Sequence, residues 1–127
     1  MRLLSLSAFL ITLSAAFLLS ACSSGPKPLY NYEDYSDTYY GAKKNMTEES
    51  SLELQKSIEN AIENASESSS GRVAPGMYAN LGYIYLKSGK SKEAIASFEK
   101  EKSIYPESAH FMERMIKKVQ VAQGAEK

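Results

Sequence analysis

The sequence has no tryptophan, one cysteine and one histidine among its 127 residues. A single cysteine excludes a disulfide bond within the chain. Cys22 and His110 also leave a zinc site of the usual kind almost without ligands. The 15 basic and 15 acidic residues balance, so the charge favours neither a nucleic-acid-binding protein nor a polybasic membrane-binding surface.

Charge is scarce at the start of the chain. Arg2 is followed by an uncharged, largely apolar run from Leu3 to Leu19 and then by small residues up to Ala21. A signal peptide has these parts in this order. A transmembrane helix is the alternative, because a helix from Leu3 to Ala21 would span roughly 29 Å. The hydroxyl side chains in the run and the lack of a following basic cluster favour a signal peptide over residues 1–21.

The end of this leader, Leu19-Ser20-Ala21-Cys22, resembles the lipobox of bacterial lipoproteins. The resemblance implies cleavage before Cys22 and attachment of lipid, palmitate among its acyl chains, to the only thiol of the chain. Two or more acyl chains hold a protein stably on a membrane. In the sorting rule of such lipoproteins, an Asp after the cysteine retains the protein at the inner membrane. Ser23 stands there instead, which implies the periplasmic face of the outer membrane.

Two segments separate the leader from the helical part. Residues 22–28 are small and polar and include two prolines, so we expect a lipidated flexible tether. Residues 29–46 are rich in tyrosine and have no clean hydrophobic period. We interpret them as irregular or as a short helix that packs on the domain through some of its tyrosines. A disordered spacer is the alternative, and exposed tyrosines also suit a partner surface.

The remaining sequence has helical periodicity and no alternation long enough for a strand. Thr47 is a good N-cap followed by acidic residues, and the first helix carries one apolar stripe, at Leu54, Ile58, Ala61, Ile62 and Ala65. A second helix begins near Pro75 and ends at Gly89. A third has Ser91 as its N-cap. A fourth begins near Pro106 and carries an apolar set, at Phe111, Met112, Met115, Ile116 and Val119.

The predicted fold is therefore an all-α, four-helix module over residues 47–122, followed by a frayed tail over 123–127. Its central part resembles one tetratricopeptide repeat. Residues 75–108 have the length of that repeat, and the matching positions are Tyr78, Leu81, Gly82, Tyr85, Ala94, Phe98 and Pro106. The predicted first and fourth helices would then flank this hairpin as packing helices. Glu101 departs from the repeat, which has alanine there, and suggests a less tightly covered face.

Repeats of this kind bind extended peptides along their first helices. The positions of the second predicted helix that would face such a groove are Ala79, Tyr83 and Lys87. A single repeat offers only a short groove, so these residues are a candidate partner-binding set.

The chain also resembles a family of small bacterial lipoproteins catalogued as domain of unknown function 4810. The resemblance rests on the lipobox, on PLYNYEDYS, on APGMYANLGYIYLKSGKSKEAIASFEKEKSIYPES and on FMERMIKK. Members are often encoded beside a lipoprotein resembling the curli secretion channel. This implies a role in an outer-membrane lipoprotein assembly, with that protein or another envelope protein as partner.

No catalytic set, cofactor motif or metal ligand set is evident in the sequence. His110 lacks a cysteine or nucleophilic serine partner, so we do not expect an enzyme. The leading hypothesis is a membrane-anchored, non-catalytic adaptor or assembly factor of the bacterial envelope. The alternative is a pilotin-like chaperone for an outer-membrane pore subunit. An envelope enzyme or a peptidoglycan-binding protein is the third hypothesis.

Overall fold

The computed structural model describes residues 25–125, and over this range the regular secondary structure is entirely helical. The prediction of an all-α fold is confirmed. The five α-helices are α1 (Tyr35–Lys44), α2 (Glu48–Glu63), α3 (Met77–Lys87), α4 (Ser91–Ile104) and α5 (Ala109–Ala125). Short 3-10 turns at Asn64–Glu67 and Pro106–Ser108 extend α2 and precede α5. The helices pack mainly on their neighbours along the chain, most extensively α3 on α4.

Helix α1 is an addition to the four predicted helices and lies in the segment 29–46, which we expected to be irregular or a short helix. Residues 25–34 are irregular, whereas residues 35–44 form a helix. Asp37 lies in its first turn and Lys43 and Lys44 in its last, where these charges suit the helix dipole. Its inward-facing residues include the buried Ala42 and the half-buried Tyr35, and tyrosine is a residue type that gave the sequence no clear apolar period.

Helix α2 begins where its cap predicted. The Thr47 hydroxyl accepts a hydrogen bond from the Ser50 N–H at 3.1 Å, and the Ser50 hydroxyl accepts one from the Thr47 N–H at 3.0 Å. This reciprocal pair is a capping box with serine in place of the usual glutamate. The predicted stripe faces inward, since Ile58, Ala61 and Ala65 are all buried.

Helices α3 and α4 form a hairpin with a tight turn. Gly89 has φ +73°, a left-handed conformation that glycine adopts without a Cβ penalty. The Lys90 N–H donates to the Tyr85 carbonyl at 2.8 Å and closes the turn. Ser91 was predicted to be the N-cap of α4. It is instead the first helical residue, and its side chain makes no capping hydrogen bond. The backbone bonds after Gly89 place the cap one residue earlier, at Lys90.

Helix α5 differs from two of the predictions made for it. It continues to Ala125, into the segment 123–127 that was expected to fray. Phe111 was expected on the inner face, yet 58% of it is exposed. Met112, Ile116 and Val119 are buried at i, i+4 and i+7, and the neighbouring position of a helix points about 100° away from that line.

The interior consists of two apolar clusters on opposite sides of α3. The first joins α2 to α3 and contains Ile58, Ala61, Ala74, Met77 and Leu81. The second joins α3, α4 and α5 and contains Ala94, Phe98, Met112, Ile116 and Val119. The Tyr85 ring packs against both clusters. Helix α3 is therefore the central element of the described domain.

Glu101 corrects the expectation of a loosely covered face. Its side chain is only 3% exposed, and its carboxylate accepts hydrogen bonds from the Gly76 N–H at 2.7 Å and the Ala79 N–H at 3.3 Å. The first N–H groups of a helix have no acceptor within the helix, so this α4 carboxylate caps the start of α3. Negative charge at this end also suits the helix dipole.

Tyr105, the residue that follows α4, is also buried. Its hydroxyl donates to the Val73 carbonyl at 2.6 Å, and the Arg72 guanidinium lies 4.9 Å from its ring centroid. Burial, followed by the neighbouring Tyr30 hydroxyl, raises the pKa of Tyr105 to about 12.

Replacing Tyr105 by phenylalanine should lower the free energy of unfolding near neutral pH by about 0.5–1.5 kcal/mol, because the Val73 carbonyl loses its donor. Between pH 10 and about 12 the unfolded state releases the Tyr105 proton while the folded state keeps it. The contribution of the hydroxyl is therefore complete below about pH 10 and is lost as the pH rises towards about 12. Denaturant unfolding of both proteins across this range measures the effect, and a difference that stays constant with pH would contradict it.

Candidate interaction groove

A groove of about 890 Å³ lies between α1, α2 and α3. Three helices contribute its walls, and representative residues are Tyr39 and Lys43 from α1, Leu52 and Gln55 from α2, and Tyr83 and Lys87 from α3. The connection between α1 and α2 adds Met46 and Thr47, and the α3–α4 turn adds Ser88 and Lys90. Its volume is within the range of about 300–1,000 Å³ that is typical of binding pockets.

Large apolar side chains line this groove and remain open to solvent. Met46 is 75% exposed, Leu52 is 50% exposed and Tyr83 is 43% exposed. Leu54 and Ile84, which pack against the first core cluster, lie at its inner side. Contiguous exposed apolar surface with a polar rim is typical of interaction sites.

The rim of the groove is positively charged. Three lysines line it, each with its ammonium group over a tyrosine ring: Lys43 at 5.7 Å from the Tyr39 centroid, Lys87 at 5.6 Å from Tyr83 and Lys90 at 5.7 Å from Tyr85. Within residues 25–125, the ion pairs are formed by Lys102 with Glu99 and Glu113. The three groove lysines thus have cation–π contacts in this range and no carboxylate partner.

The α1 wall is fixed to the domain by polar contacts. The Ser57 hydroxyl, buried on α2, donates to the Asp34 carboxylate at 2.7 Å. The Asn80 amide of α3 donates to the Tyr35 hydroxyl at 2.8 Å. Burial, and then the neighbouring Tyr39, raises the pKa of Tyr35 above its ordinary value. These hydrogen bonds therefore attach the α1 wall of the groove to α2 and α3.

The structure brings together two of the three predicted partner-binding residues. Tyr83 and Lys87 lie on the groove. Ala79 does not line the groove; it packs against the second core cluster, and its N–H donates to Glu101. Ala79 is therefore a packing residue in this fold: it lies about 40° from Tyr83 around α3, at the edge of the groove face and against the second core cluster.

Sequence reasoning missed the walls contributed by α1 and α2. Leu52 carried a usable signal, because it is apolar and stands two positions before Leu54, off the buried stripe of α2. Met46 carried a second one, as an apolar residue within the polar stretch NMTEES. Met46 and Leu52 line the same groove as Tyr83 because of where α1 and α2 lie in the fold. The tyrosine pattern did not define the position of α1.

The described residues provide little support for other candidate sites. His110 is exposed on α5. Between residues 25 and 125, no group of three or more His, Cys, Asp and Glu side chains is placed to hold a metal ion. Cys22, the predicted lipidation site, and the signal peptide lie outside the described residues. None of the helices in the part that the structure describes is both long and apolar enough to cross a membrane.

Comparison with family models identifies a match over most of the chain. The family model described as Domain of unknown function (DUF4810) matches residues 29–115, more than half of the chain. The match begins in the tyrosine-rich segment, includes the groove and the first core cluster, and ends just before Ile116 and Val119 of the second core cluster. No curated protein and no solved structure matches the sequence.

Proposed function

The chain belongs to the family described as Domain of unknown function (DUF4810), and from that premise we propose that it is a membrane-anchored lipoprotein acting as a non-catalytic adaptor or assembly factor in the bacterial envelope. The observation that carries the proposal is the groove, where Met46, Leu52 and Tyr83 expose apolar surface beside three lysines. Exposed aromatic and apolar anchors of this kind suit a protein partner. The proposed partner is another envelope protein, such as the lipoprotein resembling the curli secretion channel.

The proposed anchor is lipid on Cys22, supported by the lipobox-like sequence before it. Ser23 favours the outer membrane over the inner membrane in the sorting rule given above. The chain from Cys22 to Leu29 can span at most about 25 Å. The adaptor would thus hold its groove close to the periplasmic face of the outer membrane, where an anchored partner is within reach.

We also propose that α3 and α4 are a single repeat of the tetratricopeptide type, with α2 and α5 as its packing neighbours. The close contact of Gly82 with the Phe98 ring supports this assignment, because that repeat places a small residue and an aromatic at these positions. The sequential packing of each helix on the next is also typical of repeat architectures.

Site-specific photocrosslinking in cells tests the adaptor role. A photoreactive residue is placed in the full chain at Tyr83 or Leu52, and a matched control carries it at Phe111, which is also exposed but lies on α5 outside the groove. We expect the same envelope protein to be crosslinked from both groove positions and not from position 111. No adduct, or equal adducts from all three positions, would overturn the proposal.

Replacing Cys22 by alanine tests the anchor by itself. We expect complete loss of acyl labelling and accumulation of the uncleaved precursor, because the thiol is the proposed acceptor of the diacylglycerol. Metabolic labelling with a clickable fatty acid, followed by gel analysis of envelope fractions, measures both. Replacing Ser23 by alanine serves as the control and should retain labelling, whereas unchanged labelling of the Cys22→Ala protein would end the lipoprotein proposal.

A further inference from the structure

We infer that the groove binds an acidic amphipathic segment of its protein partner, with apolar residues seated between the helices and carboxylates placed against Lys43, Lys87 and Lys90. This inference rests on the proposed adaptor function and specifies the chemistry of the partner. The wall contributed by α3 runs from Asn80 to Ser88, which is about 12 Å of helix. A complementary segment is therefore about two helical turns long, or about four residues if extended.

Charge complementarity decides the sign of the partner. Three lysines and a single acidic residue, Glu48, line the groove. The lysine ammonium groups lie over tyrosine rings and have no carboxylate within the described residues. An incoming carboxylate adds an ion pair to each lysine without breaking an existing one. A basic segment would instead meet the like charge of all three lysines.

Residues 1–24, which precede the described part of the chain, do not supply the occupant. Residues 1–24 contain no Asp or Glu, so they cannot provide the carboxylates. A lipid surface also fits the geometry less well than a peptide does. The apolar side chains of Leu52, Leu54 and Ile84 line a concave groove between helices, which a flat bilayer surface does not enter but a protruding segment does.

Selection from a displayed library of random peptides tests the inference. The bait is the full chain in detergent micelles. We expect enriched peptides to carry apolar residues flanked by Asp or Glu, and their affinity to fall about tenfold for the triple variant Lys43→Gln, Lys87→Gln and Lys90→Gln, since each exposed pair contributes modestly. The matched control replaces three exposed lysines outside the groove, Lys100→Gln, Lys117→Gln and Lys118→Gln, and should bind as the unaltered chain does. Thermal melting of each variant confirms that it is folded.

Each other result overturns the inference. Enriched peptides that are neutral or basic, or that bind the triple variant equally well, remove the acidic specificity. Sedimentation that shows lysine-dependent self-association assigns the groove to a second copy. Protection of Lys43, Lys87 and Lys90 from acetylation only in vesicles containing phosphatidylglycerol, with no peptide enriched, assigns the lysines to a membrane surface. A specific crosslink from Tyr83 in cells would still support the adaptor role in the first of these cases, so the two proposals fail separately.

Discussion

Replacing Glu101 by alanine should lower the free energy of unfolding by about 2–4 kcal/mol. Two N–H groups at the start of α3, those of Gly76 and Ala79, lose the acceptor that α4 supplies. A partly buried donor without a partner costs about 1–3 kcal/mol, and water entering the emptied volume recovers part of the loss for two donors. Urea unfolding followed by circular dichroism measures the change.

Two further variants separate the cap from the charge and from helix propensity. Glu101→Gln keeps an acceptor oxygen and nearly the same volume, so we expect a smaller loss than for alanine. Glu99→Ala removes a carboxylate two positions away on the same helix, where it forms an exposed ion pair with Lys102 at 3.0 Å. Such a pair contributes about 0–1 kcal/mol. If Glu101→Ala is no more destabilising than Glu99→Ala, the capping role assigned to Glu101 is wrong.

Glu101 also shows where reasoning from sequence reached its limit. A charged residue on the inner face of a helix predicts a loosely packed face, because burying an unpaired charge is unfavourable. Its partners are backbone N–H groups near position 76, and side-chain patterns do not show where such groups meet another helix. The same limit applies to Ser91, since a cap depends on a backbone turn that Gly89 shifts by one residue.

Most helices were predictable because their apolar residues repeat at the helical period and their ends carry caps. Helix α2 illustrates this, with Thr47 at its start and Ile58 at its centre. Helix α1 was harder, because the tyrosines of segment 29–46 both pack and remain exposed: Tyr35 contacts the first core cluster while Tyr40 is 71% exposed. A residue type that suits both environments gives no periodic signal.

The groove was predictable on one side only. Tyr83 and Lys87 follow from the helical spacing of α3, but the opposing wall depends on where α1 lies. That position is set by long-range polar contacts, such as Asn80 with the Tyr35 hydroxyl and Ser57 with Asp34. Each joins residues more than 20 positions apart in sequence, so local patterns do not reveal them.

Replacing Phe98 by alanine should have the largest effect on stability, lowering the free energy of unfolding by about 3–5 kcal/mol. Its ring is 1% exposed and is the largest of the fully buried side chains among the described residues. Phe111→Ala is the matched control, because that ring is 58% exposed on α5, and a surface change of this kind stays within about 0.5 kcal/mol. Equal losses for the two variants, measured by denaturant unfolding, would contradict the central position of Phe98 in the second core cluster.

Gly82 and Phe98 should also be coupled energetically. A Cβ on Gly82 would lie 2.7 Å from Phe98 Cε1 and 2.8 Å from Cδ1, well inside the distance of about 3.5–4.0 Å that carbon atoms prefer. Gly82→Ala should therefore destabilise the protein by up to about 2 kcal/mol, because overpacking costs about 1–3 kcal/mol and the gain in helix propensity offsets about 1 kcal/mol of it. In a Phe98→Leu background, which lacks the ring edge, the same substitution should become neutral or stabilising. A double-mutant cycle measures this change of sign, and strictly additive effects would mean that α3 and α4 separate to accept the methyl group.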